Sequence, residues 1–206
     1  MILMSRRKHV AWYNLFMGNI DREESGEAAV QRMLLKKAGL SDLPIEQFYC
    51  FSDKQTEKNT ILLAYISLVD VEGHVILADV KWCSIKKLPR LQGFERKIID
   101  QGYSVLQYRM SHYPISTKLL PGKFTMSRLY QIYQVIFDCS LDRRNFKKRV
   151  LALNILDKLT EIETKNTRRP AALFSFKPEI RLDPFGYGGI LFKEIERKLR
   201  LKTSVK

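Results

Sequence analysis

Apolar positions along the chain keep one rhythm as far as the middle and another beyond it. Met1 to Met4 is apolar and then breaks into Ser5-Arg6-Arg7-Lys8, which reads as the end of a strand. Glu24 to Ala38 has helical spacing. Ala28, Leu34 and Leu35 fall toward one face, Lys36 and Lys37 come near the end, and Gly39 stands where a C-cap glycine belongs. Ile45 to Phe51 and Ile61 to Val69 are β-rich apolar runs, and Val75 to Ile85 reads as another strand or pair of strands. Leu88-Pro89 marks a boundary, and Phe94 to Tyr108 has helical character. Helices and strands mixed over roughly one hundred residues describe an α+β domain.

Beyond Pro114 the style changes. Leu119-Leu120-Pro121-Gly122 is a connector, and Leu129, Ile132, Tyr133 and Ile136 then line one helical face. Thr125 is its N-cap, with Phe124 before the cap and Leu129 at the fourth helical position, a hydrophobic staple. The device repeats: Leu141 precedes the N-cap Asp142, and Phe146, Val150 and Leu153 line the second helix. Two stapled helices joined by a short turn predict a helix-turn-helix. Ile155 to Ile162, the polar tip Glu163 to Arg169 and the apolar run Ala171 to Phe176 add two strands around a basic hairpin, completing a winged helix. From Pro178 the chain carries a Gly-rich turn at Gly186, Gly188 and Gly189, then a basic amphipathic segment, Ile190 to Leu201. The expected organisation is therefore residues 1–115, residues 116–180 as the winged helix-turn-helix, and a basic, partly helical tail over 181–206.

Charge sharpens this picture. Among 206 residues, 36 are Lys or Arg and 22 are Asp or Glu, a net charge of +14. Lys118 to Arg181 holds 14 basic and 6 acidic residues, a net of +8. Such a balance favours a polyanionic partner, nucleic acid before an anionic membrane surface. In the second helix Arg143, Arg144, Lys147 and Lys148 lie away from the Phe146/Val150 side, with Asn145 among them. Arginine bonds guanine edges bidentately, asparagine bonds adenine, and lysine anchors phosphate. These five residues, with Thr125 and the wing residues Lys165, Arg168 and Arg169, form the expected contact set for a double-stranded DNA operator.

The remaining chemistry is mostly excluded. Cys50, Cys83 and Cys139 are far apart and make no metal-ligand spacing with His9, His74 or His112. They read as small core residues in a reducing compartment. No apolar run approaches ~18 residues and the N-terminus turns basic at Arg6 before an apolar signal segment could form, so the expectation is a cytoplasmic protein with no membrane partner.

Gly18 to Leu40 resembles a Nudix box. Gly18 is followed after five residues by Glu24 and after seven more by Arg32, then Leu34, Gly39 and Leu40 keep their places. Where that signature has glutamates after the arginine, this chain has Met33, Lys36 and Lys37. Nudix hydrolases hold a divalent ion on those carboxylates to cleave a pyrophosphate, and magnesium wants hard oxygen ligands. The resemblance therefore implies a Nudix-like domain with no catalytic residues, no metal and no cofactor. The rival reading, an active hydrolase of a nucleoside diphosphate derivative, lacks its carboxylates.

The two halves together resemble the bacterial Nudix-related transcriptional regulators. The resemblance rests on Leu119-Leu120-Pro121-Gly122-Lys123-Phe124-Thr125, on Asp142-Arg143-Arg144-Asn145-Phe146-Lys147-Lys148-Arg149, and on Arg169-Pro170-Ala171-Ala172-Leu173-Phe174. It implies a mixed-sheet α/β/α sandwich, its first strand displaced ahead of Met1 or missing, followed by the winged helix. It also implies a homodimer on a palindromic operator, with a small effector, a sugar or an ADP-ribose-like metabolite, shifting operator affinity. Where the family often carries Phe-Asp-His, this chain has Phe94-Glu95-Arg96. For the effector, the candidates are Lys36 and Lys37 toward phosphate, and Tyr13 and Phe16 toward a sugar. The plainer readings are an exposed basic helix end and core aromatics.

Overall fold

The computed structural model describes residues 2–6, 13–53, 60–69, 76–91, 94–112, 119–164 and 170–182. These form two compact units, Met1–Ser104 and Val105–Lys206.

In the first unit, strand β1 (Ile2–Arg6) pairs antiparallel with β2 (Tyr13–Asn14) on one side and β5 (Val80–Cys83) on the other. Strands β3 (Glu46–Asp53) and β4 (Thr60–Ile66) form an antiparallel pair with an irregularity between Gln47 and Tyr49. The resemblance implies a mixed sheet, and the pairings among the described strands of this unit are antiparallel. Helix α1 (Gly26–Ala38) starts at Ser25, whose hydroxyl accepts from the Ala28 N–H at 3.1 Å, and ends at Gly39. That glycine has φ +72°, the left-handed conformation that favours glycine, and its N–H caps the last turn. The helix buries Ala29 and Ala38, and Leu34 packs on the core formed by Ala38, Leu40, Leu43 and Val80. The expected apolar face is thus corrected: Ala28 is exposed, and Leu35 is 57% exposed. One position along a helix is a 100° turn, so reading Ala28 for Ala29 rotates the whole face.

Helix α2 (Phe94–His112) begins in the first unit, where Gly102 admits the Phe48 ring; a Cβ there would stand 3.2 Å from it. Its last two turns belong to the second unit. Their Gln107 side chain is buried and donates to the Ile136 carbonyl at 2.7 Å.

The second unit continues with β6 (Phe124–Thr125), α3 (Met126–Phe137), α4 (Arg143–Ala152), β7 (Leu156–Glu163), β8 (Ala171–Phe176) and the short α5 (Pro178–Leu182). Strand β8 lies between β6 and β7, antiparallel to both. The end of α2, then strand, two helices and two strands is the order of a winged helix, with the end of α2 as its first helix. The sequence placed the boundary near residue 115; the units divide eleven residues earlier because the last turns of α2 pack on α3. The core holds Leu129, Tyr133, Phe137, Phe146, Val150 and Phe124, all nearly inaccessible. The Phe124 and Phe176 rings, 5.0 Å apart, tie the sheet together.

Candidate nucleic-acid interface

The position of α4 is set by three local devices. Thr125 Oγ1 accepts from the Arg128 N–H at 3.3 Å and starts α3. Asp142 Oδ1 accepts from the Asn145 N–H at 2.7 Å and starts α4. Between them the chain turns at Asp138, whose φ of +48° is left-handed. The buried Tyr130 hydroxyl donates to the Leu141 carbonyl at 2.6 Å and pins that turn to α3. Phe146 then inserts edge-on against Tyr130 and Tyr133, with ring centroids 5.3 and 5.4 Å away. A helix held at its first turn and at its fourth residue has little freedom left, which a rigid reading surface requires.

On this scaffold Arg143, Arg144, Asn145, Lys147 and Lys148 are all exposed. They fill the first two turns of α4, the part a recognition helix offers to base edges. Their roles divide. The Arg143 guanidinium lies over the Tyr130 ring, 5.0 Å from its centroid. The Asn145 backbone serves the cap while its side chain is exposed. Arg144 and Lys148, four residues apart, share the helix face farthest from Phe146 and Val150. Thr125 is half-buried and its side-chain oxygen is engaged by the α3 cap. The wing residues Lys165, Arg168 and Arg169 lie outside the described residues. At the base of the wing, Lys123 pairs with Glu161 on β7 at 2.6 Å, and Lys177 donates to Asn154 at 2.9 Å. Sequence reasoning missed Tyr130. Its signal was an aromatic hydroxyl on the buried side of α3, which must find a partner.

Three of the four proposed effector residues have described side chains. Phe16 packs on the core of Ala38, Leu40, Leu43 and Val80. The Lys37 ammonium donates to the Met17 carbonyl at 2.9 Å, tying the end of α1 to the segment before it. Lys36 is exposed in the last turn of α1. The Tyr13 backbone pairs with Arg6, and its side chain lies outside the described residues.

The residues that resemble a Nudix box brace one another. Arg32 reaches back to Glu24 with Nε at 3.1 Å and Nη2 at 2.5 Å, to the Asn19 carbonyl at 3.1 Å and to Asp21 at 3.0 Å. Glu24 also accepts from the Asp21 N–H at 2.7 Å. The Arg32 hydrogen bond and then the Asp21 N–H hold the Glu24 carboxyl below its usual range; the same bond with Glu24 raises Arg32. Met33 sets its thioether against Gly18. Magnesium would find a thioether and two ammonium groups at Met33, Lys36 and Lys37, a donor set that does not fit it. Glu95, buried at the start of α2, accepts from the Leu15 N–H at 2.9 Å, giving the residue after Phe94 a structural task.

Comparison with known proteins agrees with this geometry. Residues 116–176 match the NrtR DNA-binding winged helix domain. The chain is 19% identical over 166 residues to the ADPR responsive transcriptional repressor NtrR of Acinetobacter baylyi, covering 77% of this chain and 66% of that protein. Shewanella oneidensis NrtR, solved in complex with a 27mer DNA, superposes with a TM-score of 0.71 at 22% identity, covering 92% of this chain and 90% of that one. A MutT/nudix family protein from Enterococcus faecalis gives 0.64 at 17% identity, covering 85% and 78%. The fold is therefore that of a Nudix-like domain with a winged helix.

Proposed function

We infer that this chain is a Nudix-related transcriptional regulator: a ligand-responsive DNA-binding protein whose Nudix-like domain senses rather than hydrolyses. The observation that carries this reading is α4. Its capped first turns present Arg143, Arg144, Asn145, Lys147 and Lys148 to solvent on a helix braced by Phe146 and Tyr130. The match of residues 116–176 to a DNA-binding winged helix and the likeness to a structure solved on DNA support it. The chain binds its operator as a homodimer, one recognition helix in each half-site, so the operator is palindromic.

The Nudix-like domain contributes no catalysis in this reading. Met33, Lys36 and Lys37 replace the carboxylates that such chemistry needs, and Lys37 is bonded to the Met17 carbonyl. No cofactor is required. The effector is a sugar or an ADP-ribose-like metabolite; the similar Acinetobacter repressor is named for its response to ADPR. An effector shifts operator affinity only as far as it prefers one state of the protein, and operator must shift effector affinity by the same factor. No helix among the described residues is long and apolar enough to cross a membrane, and the proposed place of action is the cytoplasm.

The test is fluorescence anisotropy with operator and random duplexes of equal length across a salt series. The expected result is sequence-selective binding with a steep salt slope, altered when ADP-ribose or a pentose is added. Weak binding, equal on both duplexes, overturns the regulator reading.

A further inference from the structure

Helix α4 carries more on its outer face than charge. Phe146 and Val150 point inward, both nearly inaccessible. At 100° per residue the opposite side of the helix holds Arg144, Lys148 and Leu151, in one row at spacings of four and three. Leu151 is 44% exposed, on a helix whose other outward residues are mostly charged or polar.

We propose that Leu151 reads a thymine methyl group in the major groove, in the same row in which Arg144 reads a guanine. This rests on the regulator reading above. Each base pair presents a distinct edge in that groove, and the C5 methyl of thymine is the one apolar feature, recognised by apolar side chains. Arginine, asparagine and lysine have no use for it; leucine does. The spacing makes the proposal specific. Arg144 and Leu151 are seven residues apart, a rise of about 10.5 Å along the helix axis. Base pairs are stacked about 3.4 Å apart. With α4 lying along the groove, the thymine stands about three base pairs from the guanine in each half-site. The hydroxyl-pinned turn and the capped first turn of α4 hold this row in register.

The experiment begins by selecting an operator for the full-length protein from randomised duplex DNA. Each thymine of the selected operator is then replaced singly by deoxyuridine, which removes only the methyl group, and affinities are measured for the natural protein and for Leu151→Ala. The expected result is one thymine per half-site where deoxyuridine weakens the natural protein about fourfold, the worth of one buried methyl group. Leu151→Ala binds the thymine operator more weakly and is indifferent to deoxyuridine at that position alone. An unchanged circular dichroism melt shows that the variant folds. If deoxyuridine costs nothing at any thymine, or costs Leu151→Ala as much as the natural protein, the proposal is overturned while the regulator reading stands. If selection yields no preferred sequence, the regulator reading fails and the proposal with it.

Discussion

Arg143 lies with its guanidinium over the face of the Tyr130 ring, which meets the Phe146 ring at a steep angle and whose hydroxyl donates to the Leu141 carbonyl. Its neighbour Arg144 stands about 100° further round α4, on the face away from Phe146 and Val150. Two adjacent arginines therefore have different tasks. Arg143→Ala is expected to cost about 0.5–1 kcal/mol of stability through the lost ring contact, and to weaken binding equally on operator and random DNA. Arg144→Ala is expected to leave stability unchanged and to reduce the preference for operator by about 1–3 kcal/mol. Denaturant unfolding and anisotropy on both duplexes measure the four quantities. Preference that follows Arg143 instead would reverse the assignment.

The Tyr130 hydroxyl is small but placed at a joint. Tyr130→Phe keeps the ring, and with it the Arg143 and Phe146 contacts, and strands the Leu141 carbonyl in the interior. The expected loss is about 1–3 kcal/mol, the cost of a buried acceptor left without its donor. Because the turn before α4 loosens, operator affinity should fall too. A melt unaffected by this change would mean that the turn is held by packing alone.

Asp142 faces two demands. As N-cap it stabilises α4, and as a carboxylate beside Arg143 and Arg144 it repels an incoming phosphate. Asp142→Ala should cost about 0.5–2 kcal/mol of stability. Asp142→Asn keeps a capping oxygen and removes the charge, so its stability should stay close to that of the natural protein while low-salt affinity for random DNA rises. If both variants melt alike, the cap contributes little.

Local devices were legible in the sequence and distant ones were not. Thr125, Asp142 and Gly39 cap their helices as expected, because a cap is decided within a few residues. The Phe146/Val150 face of α4 is equally local. By contrast β6 is two residues long and exists only by pairing with Leu173 and Phe174, about fifty positions on, so no run of β-formers announced it. Helical spacing continues unbroken through α2, and nothing in that spacing marks where its partners change at Ser104. In the candidate site, charge and spacing pointed to the α4 residues. The tasks of Tyr130 and of Lys37 depend on carbonyls of Leu141 and Met17, eleven and twenty residues away, which periodicity cannot see.

The Glu24–Arg32 pair should make acid stability depend on one carboxylate. The Glu24 pKa is lowered in the folded protein, chiefly by the Arg32 hydrogen bond. A lowered carboxyl contributes stability above its unfolded value, about 4.3, and loses it as pH falls through the folded value. Natural protein should therefore melt above Glu24→Gln from neutral pH down to about pH 5, and the gap should shrink as pH falls below the unfolded value and close once it has passed below the lowered folded value. The pair sits at the surface, so the gap should be small and should shrink with added salt. A gap that persists into strong acid would show that Glu24 acts through packing instead of charge.

Lys147 and Lys148 supply the last contrast. Both are exposed on α4, and a lysine serves mainly as a compact charge for phosphate. Each phosphate neutralised releases condensed counterions, so the logarithm of affinity falls with the logarithm of salt by about 0.9 per contact. Lys147→Gln and Lys148→Gln should each flatten that slope by about 0.9, and the double variant by about twice as much. The ratio of operator to random affinity should hardly move, because a phosphate contact carries no base information. Slopes measured from roughly 50 to 200 mM salt, the range over which such contacts are displaced, decide the matter. A lysine whose loss changes the ratio and leaves the slope alone would be touching a base edge, and the division of labour along α4 would have to be redrawn around it.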